Sequence, residues 1–189
     1  MIAKNNRRQL GYTLIELSIR LAIVSAVLVA MMAGVQKIME QSNLNQTVNQ
    51  IARAAEKIRL IIKRDSDTSF VTMPNVTLPI NNAFATSSVI NPGAANVEVY
   101  TALGNRVVVY NNSNSHSSQH FRIWMGNVTP GTCVDLAGSL EGVANGMWIL
   151  NNGWQRVKDD RVSVSFNAAT ARQFCLTNAQ NEIWMEFLK

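Results

Sequence analysis

Apolar and polar positions divide the chain into three stretches. From Tyr12 to Val35 nearly every side chain is apolar, Glu16 and Arg20 are the only charges, and Leu21–Val35 carries none. A run this long without alternation predicts a helix apolar on all sides, about 36 Å in length, which is enough to cross a hydrocarbon layer of about 30 Å. From Leu44 the pattern changes. Leu44, Val48, Ile51, Ala55, Ile58 and Ile62 recur at steps of four and three, with Gln, Asn, Arg and Lys on the other positions. That spacing marks an amphipathic helix with one face for a core. No proline falls between Tyr12 and Met73, so one helix from about Tyr12 to Arg64, roughly 80 Å long, is expected. Gly34 is its soft point, because glycine costs about 1 kcal/mol against alanine in a helix.

The third stretch is built of turns and short alternations. Residues 65–95 hold Pro74, Pro79 and Pro92 and read as a linker. Strands are predicted at Asn96–Leu103 and Arg106–Tyr110 around Gly104-Asn105, then at Phe121–Met125 after the polar loop 111–120. Further strands are predicted at Gly146–Leu150 and Trp154–Val157 around Asn151-Asn152-Gly153, at Val162–Phe166 and at Glu182–Leu188. Short helices are expected at Thr132–Leu140 and at Ala168–Cys175, the second capped by Asn167. The expected fold class is α+β: a long N-terminal α-helix packed on an antiparallel β-sheet head with short helices.

Composition narrows the function classes. Hydrophobic residues make up 47% and charged residues 15% of the 189, which excludes a disordered charged tail and fits one domain with an extension. The net charge is +5, but Lys4, Arg7 and Arg8 stand in the first ten residues and the remainder is nearly balanced, so nucleic acid is not indicated as a partner. His116 and His120 have metal-compatible spacing, yet they sit in a turn-rich segment without acidic or cysteine neighbours. No GxSxG nucleophile elbow and no phosphate-binding glycine loop is present. Asp159-Asp160 reads as a surface turn and the cluster Lys57, Arg59, Lys63 and Arg64 as a solvated face. Trp124, Trp148, Trp154 and Trp184 read as packing of the head. No catalytic residue, metal or cofactor is expected, and the chain does not read as an enzyme.

A basic leader before an apolar run directs the following residues outward across a membrane. An ordinary secretory signal would end in a cleavage site near Ala26, Ala30 or Ala33, but the helical pattern continues past it. Glu16 is the informative residue, since an acid within an apolar span costs on the order of 3 kcal/mol. The segment GYTLIEL at residues 11–17 resembles the processing site of type IV prepilins. The resemblance implies cleavage after Gly11 by a prepilin peptidase, N-methylation of Tyr12, and pairing of Glu16 with the new amine of a neighbouring subunit. It implies a cleaved leader at 1–11, a long helix at 12–64 whose 12–35 half forms membrane span and filament core, and a globular head at 65–189. Arg20 departs from the family pattern. Four residues after Glu16 on the same helix face, it either pairs with its own Glu16 or joins the intersubunit charge cluster.

Around Cys133 and Cys175 the sequences CVDLA and ATARQFCLTNAQNEIWMEFLK resemble the C-terminal half of type IVb pilins, of the bundle-forming and conjugative thin-pilus kinds. This resemblance implies a Cys133–Cys175 disulfide, formed after export to an oxidising compartment. The expected function is that of a structural subunit of a type IV, IVb-like pilus. Such a subunit is held in the inner membrane with its head in the periplasm. It is polymerised with copies of itself by the inner-membrane assembly machinery into an extracellular filament. The filament would serve adhesion to host or bacterial surfaces, self-association or conjugative contact. A minor pilin or type II secretion pseudopilin, and a membrane-anchored periplasmic binding protein that never polymerises, are the alternatives.

Overall fold

The structure, a computed structural model, describes residues 13–64, 83–85, 88–90, 98–111, 120–150, 153–176 and 180–188. The leader, Gly11, Tyr12, most of the 65–95 linker and His116 lie outside the described residues. The chain divides into two units, Met1–Gln41 and Ser42–Lys189.

Helix α1 spans Leu14–Arg64. The Thr13 hydroxyl accepts the Glu16 N–H at 3.3 Å, so the Thr-x-x-Glu spacing opens the helix as the first half of a capping box. α1 is helical through Gly34, where an added Cβ would meet nothing within 4 Å.

In the second unit α1 contributes Ile51, Ala54, Ala55 and Ile58, all at most 1% exposed, to the hydrophobic core. Polar side chains of the same helix fix its place. The Leu103 N–H donates to Thr47 Oγ1 at 3.2 Å, the Ala102 N–H to Gln50 Oε1 at 3.0 Å, and Arg59 Nε to the Leu188 carbonyl at 2.9 Å. The predicted helical stripe is therefore a core face.

Seven strands form one sheet: β1 (Val89–Ile90), β2 (Glu98–Tyr100), β3 (Arg106–Asn111), β4 (His120–Val128), β5 (Gly146–Leu150), β6 (Trp154–Asp159) and β7 (Asn181–Leu188). Their order is β1-β2-β3-β4-β7-β5-β6, with every pairing antiparallel. The C-terminal strand thus lies in the middle of the sheet, between β4 and β5. Alternation separates two faces. Phe121, Ile123 and Met125 of β4, Met147 and Ile149 of β5, and Ile183, Met185 and Phe187 of β7 are fully buried in the core. Arg122, Trp124, Trp148, Glu182, Trp184 and Glu186 occupy the intervening positions and point to the opposite face.

Helix α2 (Pro130–Leu140) begins with proline in its first turn, where the missing N–H is harmless, and buries Cys133, Leu136, Ala137 and Leu140. Helix α3 (Ala168–Phe174) is capped by Asn167, whose Oδ1 accepts from the Ala169 and Thr170 N–H groups at 2.8 and 3.2 Å. Cys133 in α2 and Cys175 just after α3 form a disulfide across 42 positions.

Three local expectations change. Val89–Ile90, inside the segment read as a linker, is the edge strand β1 paired with β2. Val162–Phe166 is not a strand. Asp160–Val162 is a turn of 3-10 helix, Ser163 takes a left-handed conformation at φ 57°, and only Val164 bridges back to Asp159. The cause is Arg161, whose side chain and backbone both bond Asp159 and coil the segment. The hairpin at Gly104-Asn105 is wider than two residues. Asn105 is buried, its Nδ2 donates to the Asn127 carbonyl at 2.9 Å, and Thr101 closes the loop through backbone bonds.

Ile58→Ala is expected to lower unfolding stability by about 2–5 kcal/mol, as core truncations do. A Cys133→Ala/Cys175→Ala double variant should lose about 4 kcal/mol, the loop-closure value for a bridge of this span. Denaturant titration of the full chain checks both, and insensitivity of the wild type to reductant would contradict the second.

Candidate functional site

Two surfaces of the chain have no ordinary structural reason to be exposed. The first lies on α1. Fifteen large apolar side chains between Leu14 and Met39 are exposed, from Leu14 at 87% to Val27 at 47%. Eighteen consecutive residues here reach a mean hydropathy of 2.2, so the helix is long and apolar enough to cross a membrane. Two serines on this stretch are satisfied within the helix. Ser18 Oγ donates to the Ile15 carbonyl at 2.8 Å, and Ser25 Oγ donates to the Leu21 carbonyl. Glu16 and Arg20 meet directly, with Arg20 NH2 2.6 Å from Glu16 Oε1. Within the single chain Arg20 thus meets its own Glu16.

The second surface is the sheet face opposite the core. Val108, Trp124, Trp184, Trp148 and Arg156 form one register row across β3, β4, β7, β5 and β6. Two glycines make room for the indoles. A Cβ on Gly126 would stand 2.5 Å from the Trp124 ring, and one on Gly146 2.7 Å from the Trp148 ring. Each indole therefore lies flat along its own strand. Trp184 stacks on Tyr110 with centroids 5.3 Å apart and meets Trp154 edge-on at 5.0 Å. The Arg122 guanidinium sits 5.5 Å from the ring centres of both Trp148 and Trp184, a cation–π arrangement.

Beneath these rings lies a charge cluster. Glu186 is 1% exposed, and its Oε2 accepts from Arg122 Nε at 3.0 Å while Arg161 NH1 stands 2.7 Å from Oε1. His120 Nε2 is 4.0 Å away. Asp159, 2% exposed, accepts from Arg161 Nε at 2.9 Å and NH2 at 3.1 Å and lies 3.6 Å from Arg156. Burial alone would push the Asp159 carboxyl up. Hydrogen bonds from the Arg161 side chain and backbone, with the charges of Arg161 and Arg156, outweigh burial and hold it below its ordinary value. The same carboxylate raises the Arg161 guanidinium.

The sequence reads Asp159 as a surface turn, His120 as part of a solvated loop and the tryptophans as packing of the head. The structure buries the first two and lays the indoles on the outer face. The available signal was the alternation of Arg122, Trp124 and Gly126 with Phe121, Ile123 and Met125, which marks a second face of different chemistry. Among the described residues no group of three metal-ligating side chains comes together.

A carboxyl held low stabilises the fold above its unfolded value of about 4 and loses that contribution as pH falls through the lower folded value. The thermal midpoint should therefore drop below about pH 4. Asp159→Asn should flatten that drop and cost about 1–3 kcal/mol at neutral pH, where Arg161 loses one of its two charged partners. Melting curves from pH 2 to 8 check this, and an unchanged acid limb in the variant would contradict it.

No family model and no curated protein matches the chain. Solved structures do match. The type IV b pilin from Salmonella typhi aligns with TM-score 0.56 at 15% identity, covering 75% of this chain and 97% of that one. TcpA, a type IV pilin from Vibrio cholerae El Tor biotype, aligns with TM-score 0.48 at 12% identity, over 75% of this chain and 99% of that one. With its long N-terminal helix and seven-stranded antiparallel sheet, the chain has the type IV pilin fold.

Proposed function

We propose that the chain is a structural subunit of a type IV pilus of the IVb kind. In this reading a prepilin peptidase cleaves it after Gly11. It waits in the inner membrane with residues 42–189 in the periplasm, and assembly machinery then polymerises it through α1. The observation that carries the proposal is the exposed apolar surface of Leu14–Met39, on a chain that has the pilin fold. Such a surface needs lipid before assembly and other helices after it. The GYTLIEL segment supports the cleavage site and gives Glu16 its place five residues into the mature chain. The filament's work is mechanical, in adhesion, self-association or conjugative contact, with no reaction catalysed.

Within a filament the amine of Tyr12 would be buried among apolar helices, where a carboxylate partner offsets part of its desolvation. One observation favours a second reading, a minor pilin. Glu16 already holds Arg20 of its own chain at 2.6 Å, so a neighbour's amine would add a surplus positive charge at each subunit of a homopolymer. A subunit present in few copies avoids that repetition.

The test is mass spectrometry on filaments sheared from native cells, with Glu16→Ala as the comparison. The proposal expects a peptide beginning at Tyr12 in the filament fraction, and loss of the chain from that fraction in the variant while cleavage continues. Dominant abundance marks the major subunit and trace abundance the minor one. A chain that retains residues 1–11 and is absent from every filament would overturn the proposal.

A further inference from the structure

The tryptophan face surrounds a cavity of about 340 Å³ lined by Arg122, Trp148, Trp154, Arg156, Arg161 and Trp184. We propose that this cavity binds a carboxylate-bearing pyranose, the acidic sugar at the end of a glycan. The inference goes beyond filament formation and does not depend on it, since every residue concerned lies between positions 122 and 184.

Two features point to this ligand class. The first is an exposed aromatic wall. Trp154 meets Trp184 at an interplanar angle of 68° and is 41% exposed, while Arg122 sits over the Trp148 and Trp184 rings. The Trp154 indole can accept the apolar C–H face of a sugar ring beside these arginine-covered rings. The second is charge. Three arginines line the cavity; the buried Glu186 and Asp159 engage Arg122 and Arg161, and Glu182 on the same face accepts from the Trp124 indole at 2.9 Å. The buried acids hold Arg122 and Arg161 in fixed directions through hydrogen bonds of 2.9–3.1 Å and an Arg161–Glu186 ion pair of 2.7 Å. Arg156 reaches Asp159 only at 3.6 Å and is 49% exposed. A planar guanidinium in that position can take a carboxylate through two parallel bonds.

The same features argue against nucleic acid. A single-stranded polymer needs a groove of uncompensated cations that follows its phosphates. Here the arginines are matched by the carboxylates Glu182, Glu186 and Asp159 on the same face. The cavity lies at the lower end of the range for small-molecule sites, about 300–1,000 Å³, which fits a ring or two and not a polymer track.

The experiment uses the full chain in a polyoxyethylene detergent, which carries no sugar. Four probes are titrated with tryptophan fluorescence and saturation-transfer NMR as readouts: sialyllactose, trigalacturonate, lactose and an oligothymidylate. Saturable binding of one or both acidic probes is expected, with lactose much weaker. A preference for sialyllactose identifies a host-type glycan, and a preference for trigalacturonate a bacterial or plant polysaccharide. Trp154→Ala and Arg156→Gln, both on exposed side chains of β6, should each weaken binding about tenfold, roughly one lost cation or ring contact, with the folded state retained by circular dichroism. Failure of both acidic probes to bind overturns the proposal. So does equal binding of lactose, tighter binding of the oligothymidylate, or indifference to both substitutions.

Discussion

Fifteen exposed large apolar side chains on one helix set the terms for the rest of the molecule. Burying each is worth about 1.5–3 kcal/mol, so the surface as a whole represents on the order of 20–40 kcal/mol. That exceeds the net stability of an ordinary domain, about 5–15 kcal/mol. A surface of this size is not left in water by any folded state that lasts. It takes lipid or other helices, and a fold that can exchange one for the other can build a polymer from membrane-held subunits. The Glu16–Arg20 pair is compatible with both surroundings because it enters either one neutral.

The second unit solves a different problem with the same helix. Its amphipathic part closes the core against one face of the sheet, through Ile51, Ala54, Ala55 and Ile58. The other face is thereby released from packing on α1. β7, as the central strand, carries both roles in alternate residues. Ile183, Met185 and Phe187 face the core, while Glu182, Trp184 and Glu186 organise the outer face. The outer face is held by indoles laid on glycines and by buried carboxylates that orient arginines. The disulfide ties the two short helical segments, and Asn181 at the start of β7 bonds both the N–H and the carbonyl of Leu176, one residue past Cys175.

Much of this was legible in the sequence because it depends on period and spacing. The switch from all-apolar to a stripe at four and three located both parts of α1. Turn residues located most of the hairpins, and the capping asparagine located α3. What was not legible depends on pairing between distant strands. Strand order places β7 next to β4, and only that brings Glu186 beside Arg122 and Trp184 beside Trp124. Asp159 looked like one of two surface acids until the 3-10 turn folded Arg161 back onto it. The strand expected at Val162–Phe166 failed for the same reason, since a local ion pair overrode β propensity. Thr13 was a missed local signal: its spacing to Glu16 is a helix-opening pattern.

The central claim is that the Leu14–Met39 surface is covered by neighbouring helices in a filament. Cysteines placed singly at Ile23, Val27 and Met31 test it most directly, by oxidative cross-linking on intact filaments beside labelling with a membrane-impermeant maleimide. The account predicts cross-linked dimers at one or more of these positions and protection from the maleimide at all three. Free labelling at all three, with no cross-linked species, would mean that water reaches the surface and that the account is wrong.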